Sequence, residues 1–309
     1  MKKILFSCLL ALLFFTTPAS AQDSAPSFDM GKVARFGFGN ILMGAWTPLD
    51  GWVSNDQLQN GERFHSLRIW GGEQCRIFGL NSMKGEGVIS AIYSDHPGET
   101  KGAMPGVPSF DVHTPEGLIN EPSGLLTVLC PWDVQPRKAA VMKPGNATYQ
   151  GIVKKYLAAQ GLNVETPKLA QLFKIDLEGD GVDEVLICAQ NIAVKGEACF
   201  EADKPLFTGT GLPEAARPGA YSLLLLRKIV AGKVVELPLH MFASPKGSTP
   251  VDDKWTPPVV AKLCQFDDLN GDGVLEIVAA TAHYEGYAYH VFEVKGGEVC
   301  EVLIQSIGN

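Results

Sequence analysis

The chain carries little positive charge and has no long apolar run after its first 15 residues. It contains 26 Lys and Arg against 34 Asp and Glu, which gives a formal net charge of −8. Since no basic run is present, neither nucleic acid nor an anionic membrane surface is an expected partner. The longest later apolar stretch, residues 221–230, has only the length of a strand and includes Arg227 and Lys228, so no membrane insertion is predicted. An acidic chain of this kind favours metal cations or neutral ligands.

The sequence also lacks the short motifs that mark common enzyme classes. It has no G-x-S-x-G nucleophile turn, no H-E-x-x-H zinc helix, no P-loop and no complete G-x-G-x-x-G. It has no C-x-x-C pair either, which leaves redox-motif and zinc-ribbon interpretations without support. The catalytic residues of any enzymatic activity are therefore unknown from the sequence.

An export signal is predicted at the N-terminus. Two lysines precede an apolar run over residues 4–15, and the A-S-A sequence at 19–21 forms a small-residue cleavage pattern. This order is typical of a secretory signal peptide. We expect residues 1–21 to be removed, the mature chain to begin at Gln22, and the protein to be periplasmic or secreted. Loss of the two lysines moves the formal net charge from −8 to −10.

Six of the seven cysteines remain after the predicted cleavage, an even number for an oxidising compartment. This favours disulfide bonds. Cys188 and Cys199 are 11 positions apart and flank a predicted loop, so they are the best single candidate for a bridge. The alternative is that several of the six are buried thiols, which behave as small apolar side chains.

Frequent turns and short apolar runs predict a mainly β protein. The chain has 33 Gly and 20 Pro, and the apolar runs of a β-rich region at 22–145 are broken by Gly, Pro and Asp, as in strands joined by turns. Residues 94–117 form a long loop with little periodicity, in which Asp111 and His113 could form an acid–base pair. Loops of this length are often functional.

One helix is predicted at the start of the second region, residues 146–309. Asn146 or Thr148 is suited to cap its N-terminus, and Gly161 stands where it would end. Apolar residues spaced three and four apart give it a single buried face. That face consists of Tyr149, Ile152, Val153, Tyr156 and Leu157.

The second region contains an internal repeat. LFKIDLEGDGVDEVLICAQ at 172–190 matches CQFDDLNGDGVLEIVAATA at 264–282, an offset of 92 residues. Each copy continues into a hairpin, and the hairpins match at an offset of 65 residues, which places an insertion of about 27 residues in the first copy. Each copy is thus predicted to be strand, acidic loop, strand, strand, glycine turn, strand. The expected fold is antiparallel four-stranded units, resembling propeller blades or forming a sandwich, with one clear helix.

The two acidic loops have the composition of calcium sites. Oxygen-bearing side chains stand at loop positions 1, 3, 5 and 9, a backbone carbonyl is offered at position 7, and Gly at position 6 permits a sharp turn. Calcium needs about six to eight oxygen ligands in a flexible cage. Neither loop is an EF-hand, since position 12 is Ile187 or Ala279 and a strand follows, and the alternative is a turn without metal. The predicted ligands are Asp176, Glu178, Asp180, Val182 and Glu184 in the first loop, and Asp268, Asn270, Asp272, Val274 and Glu276 in the second.

The segments DLEGDGVDEVLI and DLNGDGVLEIV resemble the loops of FG-GAP or VCBS-type repeats, found in integrin alpha-chain propellers and in many exported bacterial proteins. The pattern from about residue 139 to 302 also resembles uncharacterised exported bacterial proteins with such repeats. The resemblance covers just over half of the chain, and the FG and GAP segments themselves are not intact. It implies calcium-stabilised β-structure and no defined activity.

These observations predict an exported, non-enzymatic calcium-binding β-repeat protein, a binding or structural module whose ligand would be a protein or a glycan. The alternative is an exported hydrolase acting on glycan or peptide, with its site in the N-terminal region. The densest polar-aromatic cluster, residues 283–290, could line a pocket, but a hairpin with cross-strand aromatic pairs is the favoured interpretation. Of the two loops, the second has the better ligand set, because Glu178 is longer than its counterpart Asn270.

Overall fold

The computed structural model describes residues 29–90, 92, 108–119, 123–192, 212–247 and 257–308. Strands make up 50% of this described part and helices 12%, the sheets are antiparallel, and one sheet is curled like half of a barrel. The prediction of a mainly β protein is therefore confirmed. The predicted signal peptide, Cys199 and most of the long loop at 94–117 lie outside the described residues.

The N-terminal part forms one eight-stranded sheet. Its strands are β1 (Ala34–Phe38), β2 (Ile41–Thr47), β3 (Gly51–Ser54), β4 (Gln74–Gly79), β5 (Ser82–Ile89), β6 (Val112–Thr114), β7 (Gly117–Ile119) and β8 (Leu126–Leu129). Their order in the sheet is β3-β2-β1-β8-β4-β5-β6-β7, so β8 lies between two strands that precede it by about 40 to 90 residues. Helix α1 (Asn55–Asn60) follows β3, and short 3-10 helices span Met30–Lys32 and Glu62–Leu67.

Each predicted repeat forms a four-stranded antiparallel meander. The first contains β10 (Leu169–Ile175), β11 (Glu184–Gln190), β12 (Ala220–Val230) and β13 (Lys233–Ser244), with the short β9 (Ala140–Val141) added beside β10. The second contains β14 (Val260–Asp267), β15 (Glu276–His283), β16 (Gly286–Lys295) and β17 (Glu298–Gly308). Val185 pairs with Arg227 in the first unit, and Ile277 pairs with Phe292 in the second. These pairs are related by the offsets of 92 and 65 residues found in the sequence, so the two units have the same strand register.

The connections within each unit follow from their turn residues. The acidic loops join β10 to β11 and β14 to β15. The hairpin between β12 and β13 turns at Ala231 and Gly232, with φ of 50° and 76°, and the hairpin between β16 and β17 turns at Gly296, with φ of 59°. Two-residue turns with positive φ match the right-handed twist of the flanking strands. The glycine-turn hairpins predicted from the sequence are therefore present in both repeats.

The predicted helix is α2 (Ala147–Ala159). Asn146 caps it by accepting a hydrogen bond from the Thr148 amide at 3.0 Å, and the chain leaves it at Gly161, where φ is 77°. The predicted apolar face packs on the sheet of the first repeat, with Val153 and Leu157 fully buried there. No helix among the described residues is long and apolar enough to cross a membrane.

The second repeat is the middle layer of the molecule. Alternate side chains of β15 and β16, such as Ile277 and Phe292, pack against the sheet of the first repeat. The side chains between them, such as Val278 and Tyr289, pack against the N-terminal sheet. A sheet that is covered on both faces requires nearly continuous apolar strands. Because the sheet is covered on both faces, every residue of β14 is buried, including the polar Lys262, Gln265 and Asp267.

The cysteines at 75, 130, 188, 264 and 300 form no disulfide bond within the described part of the chain. Cys188 is buried, and its thiol donates to the carbonyl oxygen of Ala261 at 3.2 Å. Burial raises the pKa of this thiol to about 12, so it behaves as a small apolar side chain. Since Cys199 lies outside the described residues, the bridge between Cys188 and Cys199 stays a prediction.

Candidate metal centre in the acidic loops

The first acidic loop, residues 176–184, is held by its own carboxylates. Asp176 accepts hydrogen bonds from the backbone amides three, four and five positions later, at 2.7, 3.1 and 2.9 Å. Asp180 accepts from the amide of Val182 at 2.8 Å. Glu184, the first residue of β11, closes the loop by accepting from the amide of Leu177 at 2.8 Å. The loop thus has a fixed backbone, as Asp and Gly at these positions predict.

The second acidic loop, residues 268–276, repeats this pattern. Asp268 accepts from the amides three and five positions later, at 2.7 and 3.0 Å. Asp272 accepts from the amide of Val274 at 2.8 Å, and Glu276 accepts from the amide of Leu269 at 2.7 Å. The second loop is more deeply buried than the first at positions 1 and 3, since Asp268 and Asn270 are each 5% exposed, whereas Asp176 and Glu178 are only half-buried.

Three carboxylates converge on one atom of the second loop, the amide nitrogen of Asn270. Asp272 Oδ2 lies 3.2 Å from Asn270 Nδ2, and Glu276 Oε1 lies 3.0 Å from it. The third is Glu293 Oε1, at 3.3 Å. A side-chain amide has only two N–H bonds, so it cannot satisfy three carboxylate oxygens at once. Of the three carboxylates, Glu276 and Glu293 are buried and Asp272 is exposed. The second loop therefore gathers more negative charge than the Asn270 amide neutralises.

Glu293 was not among the ligands predicted from the sequence. It lies on β16, in the hairpin that follows the loop, and is 8% exposed. A carboxylate within the apolar run at 291–294 of that strand was the available signal. The sequence pattern could not show which face of the strand it occupies.

As they stand, the described residues contain no group of three or more His, Cys, Asp or Glu side chains spaced to hold a metal ion. In the second loop the carboxylates are gathered by the Asn270 amide instead. The chemistry of the donors nevertheless fits calcium, which takes about six to eight carboxylate, amide and carbonyl oxygens. The residues that would hold it are Asp268, Asn270, Asp272, Val274 through its carbonyl, Glu276 and Glu293.

The carboxylates of the second loop also disfavour one another's charge. Burial raises the pKa of Glu276 well above its ordinary value, and the negative charges of Asp272, Asp268 and Glu293 raise it further. Burial likewise raises the pKa of Asp268, although backbone hydrogen bonds oppose the rise. A cation among these groups would favour their charged forms.

The two loops lie side by side. The amide of Leu275 donates to the carbonyl of Leu177 at 2.9 Å. Arg137 spans both loops, since its guanidinium donates to the carbonyl of Leu177 at 2.8 Å and to the carbonyl of Gly273. The indole of Trp132 donates to the carbonyl of Asp268 at 2.8 Å. The segment before α2 therefore ties the N-terminal part to both loops.

The polar-aromatic cluster at 283–290 is the hairpin of β15 and β16, as favoured from the sequence. Tyr287 and Tyr289 are buried in the core. His290 links three strands, because its Nε2 lies 2.8 Å from Thr281 Oγ1 and its Nδ1 lies 2.6 Å from Glu301 Oε1. A hydroxyl, an imidazole and a carboxylate in this order can activate a nucleophile. In this structure the three side chains form a hydrogen-bonded link across β15, β16 and β17.

A half-buried histidine near this link, His240, should make the stability of the fold decrease in acid. Burial and, to a lesser extent, the nearby charge of His290 together lower the pKa of His240 to about 4. The unfolded chain, with a histidine pKa of about 6.5, binds the proton more readily. Stability is therefore lost as the pH falls from about 6.5 to about 4, by about 3 kcal/mol at most. Urea unfolding across this range should show a flatter pH dependence in His240→Gln, whereas His113→Gln, at an exposed position, should keep the wild-type dependence. Equal slopes in the two variants would contradict the assignment.

Two cavities lined by residues of the N-terminal sheet have volumes of about 490 and 680 Å³. Glu73 and Glu86 both line the first, and paired carboxylates are what glycoside hydrolysis requires. The two oxygens of Glu73, however, accept the backbone amides of Trp70 and Gly71 at 2.8 and 2.7 Å. This carboxylate has a structural role, which leaves the acidic loops as the better-supported site.

Comparison of the chain with protein-family models, with curated proteins and with solved structures finds no match. The assignment of the loops therefore depends on their own sequence and geometry.

Proposed function

We propose that this chain is an exported, non-enzymatic calcium-binding β-repeat protein, built from FG-GAP or VCBS-like units and acting as a binding or structural module. One observation carries the proposal. Three carboxylate oxygens at the second loop, two of them from the buried Glu276 and Glu293, lie within 3.3 Å of a single atom, Asn270 Nδ2. Such a concentration of negative charge would be stabilised by a divalent cation, and its all-oxygen donor set favours calcium.

Calcium would have a structural role in this position. The second loop contacts the first loop through Leu275 and the N-terminal part through Trp132. Arg137, also of the N-terminal part, donates hydrogen bonds to both loops. An ion bound there would fix the point at which three parts of the chain meet. The exposed surfaces of the sheets would then be free to bind a protein or a glycan, the ligand classes proposed for the module.

The first loop supports the proposal through its backbone. Its Asp176, Asp180 and Glu184 make the same hydrogen bonds as their counterparts in the second loop. Its side-chain charges differ, however, because Glu178 replaces Asn270 and accepts a hydrogen bond from Lys228 at 2.8 Å.

Isothermal titration of the metal-free mature chain with calcium tests the proposal. We expect binding in the micromolar range or tighter, and Glu293→Gln should weaken it by about 10- to 100-fold, as is usual when a side chain that binds or positions a ligand at a metal site is removed. The matched control is Glu298→Gln, an exposed change in the same hairpin, which should leave the affinity unaltered. Failure of the wild-type chain to bind calcium below millimolar concentration would refute the proposal.

A further inference from the structure

One hairpin residue lies against each acidic loop, and its charge is opposite in the two repeats. In the second repeat this residue is Glu293, whose Oε1 lies 3.3 Å from Asn270 Nδ2. The strand registers of the two units place Lys228 at the equivalent position of the first repeat. The sequence offset of 65 residues pairs the same two positions. A buried acid in one unit is thus a buried base in the other.

The ammonium group of Lys228 is directed into the first loop. Its side chain is only 1% exposed, and its Nζ lies 2.8 Å from Glu178 Oε1. Burial raises the pKa of Glu184, and the charge of Lys228 opposes that rise, so the ammonium also lies near the loop-closing carboxylate. Glu178 and Glu184 are the counterparts of Asn270 and Glu276. In the second loop, Glu293 is hydrogen-bonded to Asn270, and its charge acts on Glu276. Lys228 therefore brings positive charge to the place where the second loop gathers negative charge.

We infer that Lys228 is a built-in cation of the first loop, which replaces a metal ion there, so that the chain binds calcium only at the second loop. The inference rests on the proposed function, because it concerns where calcium binds. A fixed ammonium already compensates the carboxylates of the first loop, and it repels a second cation at short range.

The second loop has no equivalent compensation. The ammonium that contacts Glu293 belongs to Lys295, which binds the other oxygen, Oε2, at 2.8 Å and whose side chain is 70% exposed. It lies on the solvent side of the carboxylate and leaves Oε1 directed at Asn270. The charge of the first loop is therefore balanced by Lys228, and the charge of the second loop would be balanced by an ion from solution. The fold of the first repeat would be insensitive to calcium concentration, and the fold of the second would respond to it.

Calcium stoichiometry, measured by titration calorimetry and by native mass spectrometry of the full mature chain, tests this inference. The wild type should bind one ion, and Asp272→Ala, which disables the second loop, should bind none. This comparison leaves the first loop with its native sequence, so it does not depend on whether a Lys228 variant folds. Retention of one ion by Asp272→Ala, or two ions in the wild type, would overturn the inference and leave the proposed function intact.

Conversion of the first loop provides the complementary measurement. The double substitution Lys228→Glu with Glu178→Asn copies the side chains of the second loop into the first, and the stoichiometry should rise from one to two. The matched control is Lys174→Met, which removes an exposed lysine that pairs with Asp183 beside the same loop, and its stoichiometry should stay at one. The ion at the second loop serves as an internal check on folding. A double variant that keeps this ion but gains no other contradicts the inference, whereas a wild type that binds no calcium refutes the proposed function as well.

Discussion

Replacement of Tyr289 by alanine should lower the free energy of unfolding by about 3–5 kcal/mol, the usual cost of truncating a buried aromatic side chain. Tyr289 is fully buried on β16. Its ring stacks on Phe38 of the N-terminal sheet with the centroids 5.3 Å apart, and its hydroxyl donates to the carbonyl of Ser123 at 2.8 Å. The truncation therefore opens a cavity in the core that the second repeat shares with the N-terminal part.

Two further variants separate the sources of this loss. Tyr289→Phe keeps the ring and removes only the hydroxyl, so it should cost about 1–3 kcal/mol, the penalty for leaving a buried carbonyl without its donor. Ile304→Ala, at a half-exposed position of the adjacent strand β17, should cost less than about 1 kcal/mol. Unfolding in urea is followed by circular dichroism and by tryptophan fluorescence, and both signals should shift together. Separate transitions for the two signals would show that the core is not shared.

The shared core bears on how much of the fold the sequence could predict. The meander of each repeat was predictable because its signals are local: an acidic turn, two apolar runs and a glycine hairpin. The position of β8 between β1 and β4 was not, because Phe36 and Arg76 both pair with Val128 from distant parts of the chain. Short apolar runs indicate that strands exist but do not specify their neighbours. The contact between Phe38 and Tyr289 crosses the boundary near residue 145 at which the sequence suggests two regions. It could not be predicted either, because apolar runs do not specify which strands pack together.

The candidate site shows the same limit at the level of side chains. The loop ligands follow one another at fixed spacing, and that spacing identified them. Glu293 and Lys228 reach the loops only through the register of a hairpin, so their roles depend on which face of the strand they occupy. Arg137 and Trp132 contact the loops through carbonyl oxygens. Backbone atoms are common to all residues, so no pattern of residue types could reveal those two contacts.

Calcium should raise the free energy of unfolding by about 2.7 kcal/mol when its concentration is about 100 times the dissociation constant, since one occupied site stabilises the folded state by mass action. For a chain of this size the melting temperature should rise by about 4–5 °C. Without a cation, three buried carboxylates and the exposed Asp272 are held near one another at the second loop, and their repulsion opposes the fold. Because the unfolded chain has no such cluster, the binding free energy becomes folding free energy.

A matched pair of substitutions isolates this effect. Asp272 and Asp180 both stand at loop position 5, and each accepts the amide two positions later at 2.8 Å. Changing either to alanine therefore removes the same local hydrogen bond. Only Asp272→Ala should abolish the calcium-dependent rise in melting temperature, because three carboxylates meet at the third position of the second loop, whereas the buried ammonium of Lys228 contacts that position in the first.

Differential scanning calorimetry with calcium, with magnesium and with chelator completes the test. Chelator should lower the wild-type melting temperature, and calcium should restore it more fully than magnesium does, because magnesium requires a tighter octahedral shell and gives up its water reluctantly. Asp180→Ala should follow the wild type in all three conditions. If chelator leaves the wild-type melting curve unmoved and calcium gives no shift, the acidic loops are turns stabilised by their own backbone hydrogen bonds.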